Sequence, residues 1–127
     1  MSSVLLVCHV NAEIGIGHLS RLLALAQALR KDNNVIPELL IFGNLFKKGE
    51  LANFNVHTFS LTVNFVTTVE NILKAHNFDA IIFDLHPGHN INNLGEFFVQ
   101  LKQRNIRLIS VDSLVEYCNI LDLIWIP

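Results

Sequence analysis

An apolar run, a glycine-containing turn and a helix-like repeat follow one another at the start of the chain. The run is Val4-Leu5-Leu6-Val7-Cys8, the turn contains Gly15 and Gly17, and apolar residues then recur at helical spacing between Leu19 and Leu29. A continuous apolar run of this length is typical of a parallel strand that is covered on both faces. The helix N-terminus beyond such a turn favours an anionic ligand, because its first N–H groups have no partner within the helix.

The rest of the chain repeats this alternation of strand-like and helix-like segments. Apolar runs predict further strands over 35–42, 56–61, 79–84, 106–111 and 121–126. Helical periodicity predicts helices over 65–76 and 94–104, with a short helix or loop at 45–51 and a single helical turn at 114–118. Strands that alternate with helices indicate βαβ units. We therefore predict an α/β fold, with a Rossmann-like parallel sheet and helices on both faces.

Ligands of open parallel sheets bind beyond the carboxyl ends of the strands, where the strand order reverses. Four polar loops follow predicted strands, and this rule brings them to one crevice. Their residues are Gly15, Gly17 and His18; Gly43 and Asn44; His86, Pro87 and His89; and Asp112 and Ser113.

Length and composition fit one domain that spans residues 1–127, since domains commonly contain about 100–150 residues. The net charge of −2 argues against a nucleic-acid partner, which usually requires a basic face. The two cysteines form no CxxC motif, so a reduced, cytoplasmic compartment is expected. The N-terminal apolar run is too short for a membrane span.

A dinucleotide site fits the glycine turn poorly. Gly15 and Gly17 match the first two glycines of GxGxxG, but Ser20 stands in the third position. Dinucleotide-binding folds have an acidic residue at the end of the second strand, where it binds the ribose, but this chain has Gly43 there. We therefore expect no resident cofactor. The alternative for the two glycines is a turn without a binding role.

The candidate for proton transfer is His18, because an imidazole exchanges its proton near neutral pH. Its alternative role is to cap or pack at the helix start. A metal site formed by Asp84, His86 and His89 is a less favoured hypothesis, and we predict no metal. Asp84 and Asp112 are expected to cap their loops instead. The remaining histidines, which are His9, His57 and His76, lie at predicted element ends and are given no role.

The segment from Gly15 to Leu29 resembles the first loop and helix of GT-B sugar-nucleotide enzymes. It is most similar to the UDP-sugar hydrolase of pseudaminic acid biosynthesis, with its G-x-G-H-x-x-R-x-L-x-L-A-x-A-L pattern, and more distantly to MurG-like glycosyltransferases. Segments 78–84, 106–112 and 118–127 are similar to later strands of that fold. The likeness covers nearly the whole chain, although only its first motif is specific.

The resemblance implies a general-base role for His18 at the sugar. It implies substrate contacts for Gly15, Gly17 and Arg21, and we add Asp84, His86 and Asp112 as substrate-binding candidates. One departure is Asp112-Ser113, where the hydrolases often have an Asp-Asp pair.

GT-B enzymes have two Rossmann-like domains, and the C-terminal one carries most nucleotide contacts. The resemblance therefore implies that this chain is the N-terminal, acceptor- or sugar-side half. Its expected partners are a sugar nucleotide or glycan acceptor and a C-terminal domain, in cis or as a separate chain. Peripheral contact with a membrane stays open. The alternatives are a UDP-sugar hydrolase half-domain and a non-catalytic binding or interaction module.

Overall fold

A six-stranded sheet forms the centre of the protein, in a computed structural model that describes residues 2–10, 17–32, 34–43, 48–85 and 94–126. The strands are β1 (Ser2–Val10), β2 (Val35–Gly43), β3 (Asn55–Phe59), β4 (Ala80–Asp84), β5 (Arg107–Val111) and β6 (Leu123–Trp125). Their order across the sheet is β3-β2-β1-β4-β5-β6, and every neighbouring pair is parallel. The predicted parallel α/β sheet is confirmed, and β1 lies in its interior.

Helices cover both faces of this sheet. They are α1 (Gly17–Arg30), α2 (Lys48–Leu51), α3 (Phe65–Ala75) and α4 (Leu94–Gln103). Side chains alternate across β1, so that Leu5 and Val7 pack with α3 and α4 in one apolar cluster. Leu6 and Cys8 pack with α1 in a second cluster on the opposite face. This double coverage explains why the strands read as continuous apolar runs.

The strand order reverses between β1 and β4. The chain moves outward from β1 through β2 to β3, then returns beside β1 and continues to β6 on the other side. This is the order of the doubly wound dinucleotide-binding folds, in which ligands bind at the reversal. The carboxyl ends of β1 and β4 are therefore the expected location of a site.

The last residue of β2 must be glycine. Gly43 has φ +131°, and a Cβ atom built on it would lie 1.5 Å from the carbonyl oxygen of Val10. Dinucleotide-binding folds carry their acidic ribose ligand at the end of this strand. Close packing of the β2 backbone against β1 thus excludes any side chain at this position.

The shorter predicted elements are also observed, with narrower bounds. The described part of 45–51 is helical from residue 48, and the turn expected at 114–118 is a 3-10 helix over Val115–Tyr117. Tyr117 lies against Phe98, and its hydroxyl accepts a hydrogen bond from the N–H of Leu94 at the start of α4. This turn therefore caps α4.

Candidate functional site

Three side chains meet at the carboxyl edge of the sheet, where the strand order reverses. His18 and Arg21 lie three residues apart in the first turns of α1, so both project from one face of the helix. Both contact Asp84, the last residue of β4, whose side chain is fully buried. The three-residue spacing on α1 places His18 and Arg21 side by side, and the end of β4 places Asp84 next to both. We call this cluster the switch-point triad (His18, Arg21 and Asp84).

The hydrogen bonds within the triad use both oxygens of Asp84. Nδ1 of His18 lies on Oδ1. Arg21 donates from Nε to Oδ2 at 2.8 Å and from Nη2 to Oδ1 at 2.7 Å, which is the bidentate geometry that suits a guanidinium and a carboxylate. The buried carboxylate therefore holds two side chains of α1 in fixed positions.

Asp84 carries a negative charge at neutral pH. Burial by itself raises the pKa of a carboxyl, but hydrogen bonds from His18 and Arg21, together with their charge, lower the pKa of Asp84 below its ordinary value. The hydrogen bond to Asp84 in turn raises the pKa of Arg21. The triad is thus held by charge-assisted hydrogen bonds.

Asp112 extends the site toward β5. Its Oδ2 lies 3.8 Å from Nη1 of Arg21, and its side chain is about half exposed. Its backbone is in the left-handed region at φ 55°, and its N–H donates to the carbonyl oxygen of Trp125 at 2.7 Å. Arg21 therefore lies between a buried and an exposed carboxylate.

The geometry bears on two expectations for Asp84. In the described part of the chain its carboxylate accepts hydrogen bonds from two side chains of α1. Capping of the loop that follows it stays a prediction, because residues 86–93 lie outside the described residues. The hypothesis of a metal at Asp84, His86 and His89 requires an available carboxylate, and Asp84 is already engaged by a guanidinium. His86 and His89 lie outside the described residues, as does Gly15.

Gly17 is the first residue of α1, and a Cβ atom there would meet no heavy atom of the described residues within 4 Å. The described structure therefore gives Gly17 no packing role. Open space at this position is compatible with the expected approach of a substrate to the backbone.

Cys8 lies beside the triad but is a poor nucleophile. It pairs in register with Asp84 across β1 and β4 and is fully buried. Burial, with a further contribution from the charge of Asp84, raises the pKa of the Cys8 thiol. Since the thiolate is the reactive form, covalent catalysis by Cys8 is not supported.

The histidines that the sequence leaves without a role are placed in the interior or in a second cluster. His9 is buried between the rings of Phe42 and Phe65, at centroid distances of 5.7 and 6.2 Å. His57 lies in the middle of β3, not at its end, and contacts Glu38 of β2. The sequence does contain one sign of this second cluster, which is Glu38, a lone charged residue inside an apolar strand.

Comparison with protein-family models, with curated proteins and with solved structures finds no match to this chain. In the described residues, no helix is long and apolar enough to cross a membrane. The fold and the switch-point triad define an α/β domain of Rossmann-like strand order, with an imidazole, a guanidinium and a buried carboxylate at the carboxyl edge of its sheet.

Proposed function

We propose that this chain is the N-terminal, acceptor- or sugar-side domain of a glycosyltransferase-like enzyme that acts on UDP-sugars. The observation that carries the proposal is the contact of His18 with the buried, ionised Asp84 at the strand-order reversal. The resemblance of segment 15–29 to GT-B enzymes supplies the substrate class. A half-domain of a UDP-sugar hydrolase would use the same residues, with water as the acceptor.

His18 acts as the general base in this proposal. With Nδ1 held by Asp84, the imidazole accepts the proton of an acceptor hydroxyl, or of water, at Nε2. The deprotonating oxygen attacks the anomeric carbon, the bond from that carbon to the diphosphate oxygen breaks, and UDP leaves with the electron pair. Asp84 stabilises the imidazolium that forms, as a buried carboxylate does in other His-based sites.

Arg21 and Asp112 have separate tasks. Arg21 fixes both oxygens of Asp84 and so sets the orientation in which His18 meets the sugar. Asp112 is about half exposed, so its carboxylate is available to hydroxyl groups of a sugar. None of the described residues fills the space beside Gly17, through which the substrate approaches the helix N-terminus in this proposal.

A binding experiment on the chain itself tests the proposal. We expect UDP-glucose or UDP-N-acetylglucosamine to shift the amide resonances of Gly17, His18, Arg21 and Asp112 only at millimolar concentration. Catalysis requires the sugar to be held between two domains, and positioning supplies much of the rate. UDP without a sugar should shift these resonances less. Micromolar affinity, turnover by the chain alone, or shifts confined to another surface would contradict the proposal.

The catalytic role is tested in the protein joined to its nucleotide-binding domain. His18→Ala should lower turnover by about 10²–10⁴-fold, the usual contribution of a general base. The free energy of unfolding should change little, because Arg21 still neutralises Asp84. Wild-type turnover would exclude His18 as the base. Loss of folding would instead favour a structural role, as in a non-catalytic binding module.

A further inference from the structure

A second cluster of polar side chains lies away from the switch-point triad, on the α3 side of the sheet. It consists of Glu38 in β2, His57 in β3 and His76 at the C-terminal end of α3. In the part of the chain that the structure describes, this is the one group of His, Cys, Asp or Glu side chains whose donor atoms are close enough to share a metal ion. We propose that it binds a divalent transition metal, and we use Zn²⁺ as its probe.

The donor atoms have nearly the separation that a metal requires. Nε2 of His57 lies 2.9 Å from Oε2 of Glu38, and Nδ1 of His76 lies 3.8 Å from Oε1. One donor from each residue can be chosen so that all three lie within 4.8 Å of one another. Zinc bonds of about 2.0–2.2 Å at tetrahedral angles separate ligand atoms by roughly 3.3 Å. Small side-chain rotations therefore suffice to coordinate an ion.

The backbone already holds the three ligands together. Glu38 and His57 lie on adjacent strands and point to the same face, since Leu40, which is two residues from Glu38, pairs with His57. His76 is fixed where α3 ends, and its N–H donates to the carbonyl oxygen of Ile72. Much of the ordering that a metal site requires has thus occurred on folding.

The burial of Glu38 gives the cluster its chemical character. Glu38 is only 7% exposed and lies within an otherwise apolar strand. A buried carboxylate needs hydrogen-bonding, charged or metal partners. Two imidazoles and one carboxylate form the His₂Glu set that binds zinc and related first-row metals. The side chains of His57 and His76 are 27% and 48% exposed, so solvent reaches the ion and can supply a further ligand.

A bound ion would connect β3, the outermost strand on one side of the sheet, to a helix. Among the strands that the structure describes, β3 pairs with β2 alone, and none of its residues is fully buried. A metal held by all three ligands joins β3, β2 and the end of α3, so Zn²⁺ should raise the unfolding temperature. This stabilisation is independent of the proposed function at the opposite edge of the fold.

Calorimetry of the tag-free chain with zinc chloride tests the proposal. We expect one equivalent to bind with micromolar or tighter affinity, while Mg²⁺ and Ca²⁺, which prefer oxygen ligands, do not compete. His57→Gln and His76→Gln should each weaken binding by at least about tenfold, since even an outer-shell partner contributes that much. His76 is the more exposed, so its variant tests the site even if His57→Gln folds poorly.

Matched variants separate this site from other zinc ligands on the chain. His86→Gln/His89→Gln and Cys118→Ser should keep wild-type affinity and the same rise in unfolding temperature. The Co²⁺ complex should lack a sulfur-to-cobalt charge-transfer band. Absence of zinc binding would overturn the proposal. Binding that survives both His57→Gln and His76→Gln, or that is lost with the loop histidines or Cys118, would overturn it as well.

Discussion

At the scale of single residues, Gly43 lies where the backbone leaves no room for a side chain. Gly43→Ala should lower the free energy of unfolding by about 3 kcal/mol or more, because the new Cβ meets the Val10 carbonyl oxygen and the φ angle is unfavourable. Urea unfolding followed by circular dichroism measures this change.

Gly17→Ala is the matched control for that substitution. Among the described residues its Cβ meets no neighbour, and glycine loses more conformational freedom on folding than alanine does, so the variant should be as stable as the wild type or slightly more so. Equal effects at the two glycines would contradict the conformational argument for Gly43.

The residues of the switch-point triad could be selected from sequence, but the second cluster could not. His18 and Asp84 lie where the rule for parallel sheets places a site, because the carboxyl ends of the strands meet at one edge. Arg21 was selected only because the resemblance to GT-B enzymes implies a role for it. The proximity of Glu38, His57 and His76 depends on the register of β2 against β3 and on where α3 ends. No local pattern fixes either quantity. The details of the triad, above all the bidentate pair of Arg21 and Asp84, also required the structure.

At the scale of elements, the pair of Arg21 and Asp84 joins α1 to β4. Arg21→Ala should lower the free energy of unfolding by about 1–3 kcal/mol, because it removes two hydrogen bonds from a buried carboxylate. The loss is smaller than for a wholly buried pair, since Arg21 is 30% exposed and His18 continues to contact Asp84. Chemical denaturation measures the loss.

Arg104→Ala is the control that removes the same charge from an exposed residue beyond α4. Its effect should stay within about 0.5 kcal/mol, as is usual for surface substitutions. If the two variants are equally stable, the contact of Arg21 with Asp84 contributes nothing to the packing of α1.

The elements were the most predictable part of the fold. Buried parallel strands have continuous apolar sequences, and the sequence analysis located all six. β3 had the weakest pattern, and the structure explains this by its position at the edge, where Asn55 and Phe59 are exposed. Its C-terminal boundary was placed two residues too far for the same reason.

At the scale of the whole molecule, the two polar clusters have different relations to the core. The switch-point triad closes the carboxyl edge of the sheet and includes its fully buried carboxylate. The cluster of Glu38, His57 and His76 lies on the α3 face, partly open to solvent. Ligand effects at the two sites should therefore be separable by variants of either one.

The free energy of unfolding of the whole molecule should depend on pH through the protonation of Asp84. Its pKa in the folded state is lowered, so the unfolded state binds a proton more readily, and the stabilisation is complete above the carboxyl's unfolded pKa of about 4. It is lost as the pH falls through the lower, folded pKa. Asp84→Asn should be about 3 kcal/mol less stable at neutral pH, because Arg21 and His18 lose a buried anionic partner.

The difference in unfolding free energy between the wild type and Asp84→Asn should shrink as the pH is lowered below about 4. Denaturant unfolding at a series of pH values measures this convergence. Asp122→Asn provides the comparison: a hydrogen bond from Lys102 also lowers the pKa of Asp122, but its side chain is 35% exposed. Solvent screens such a pair, so its contribution should be at most about 1 kcal/mol. A constant difference for Asp84→Asn at every pH would mean that packing, and not the charge of Asp84, holds α1 against β4.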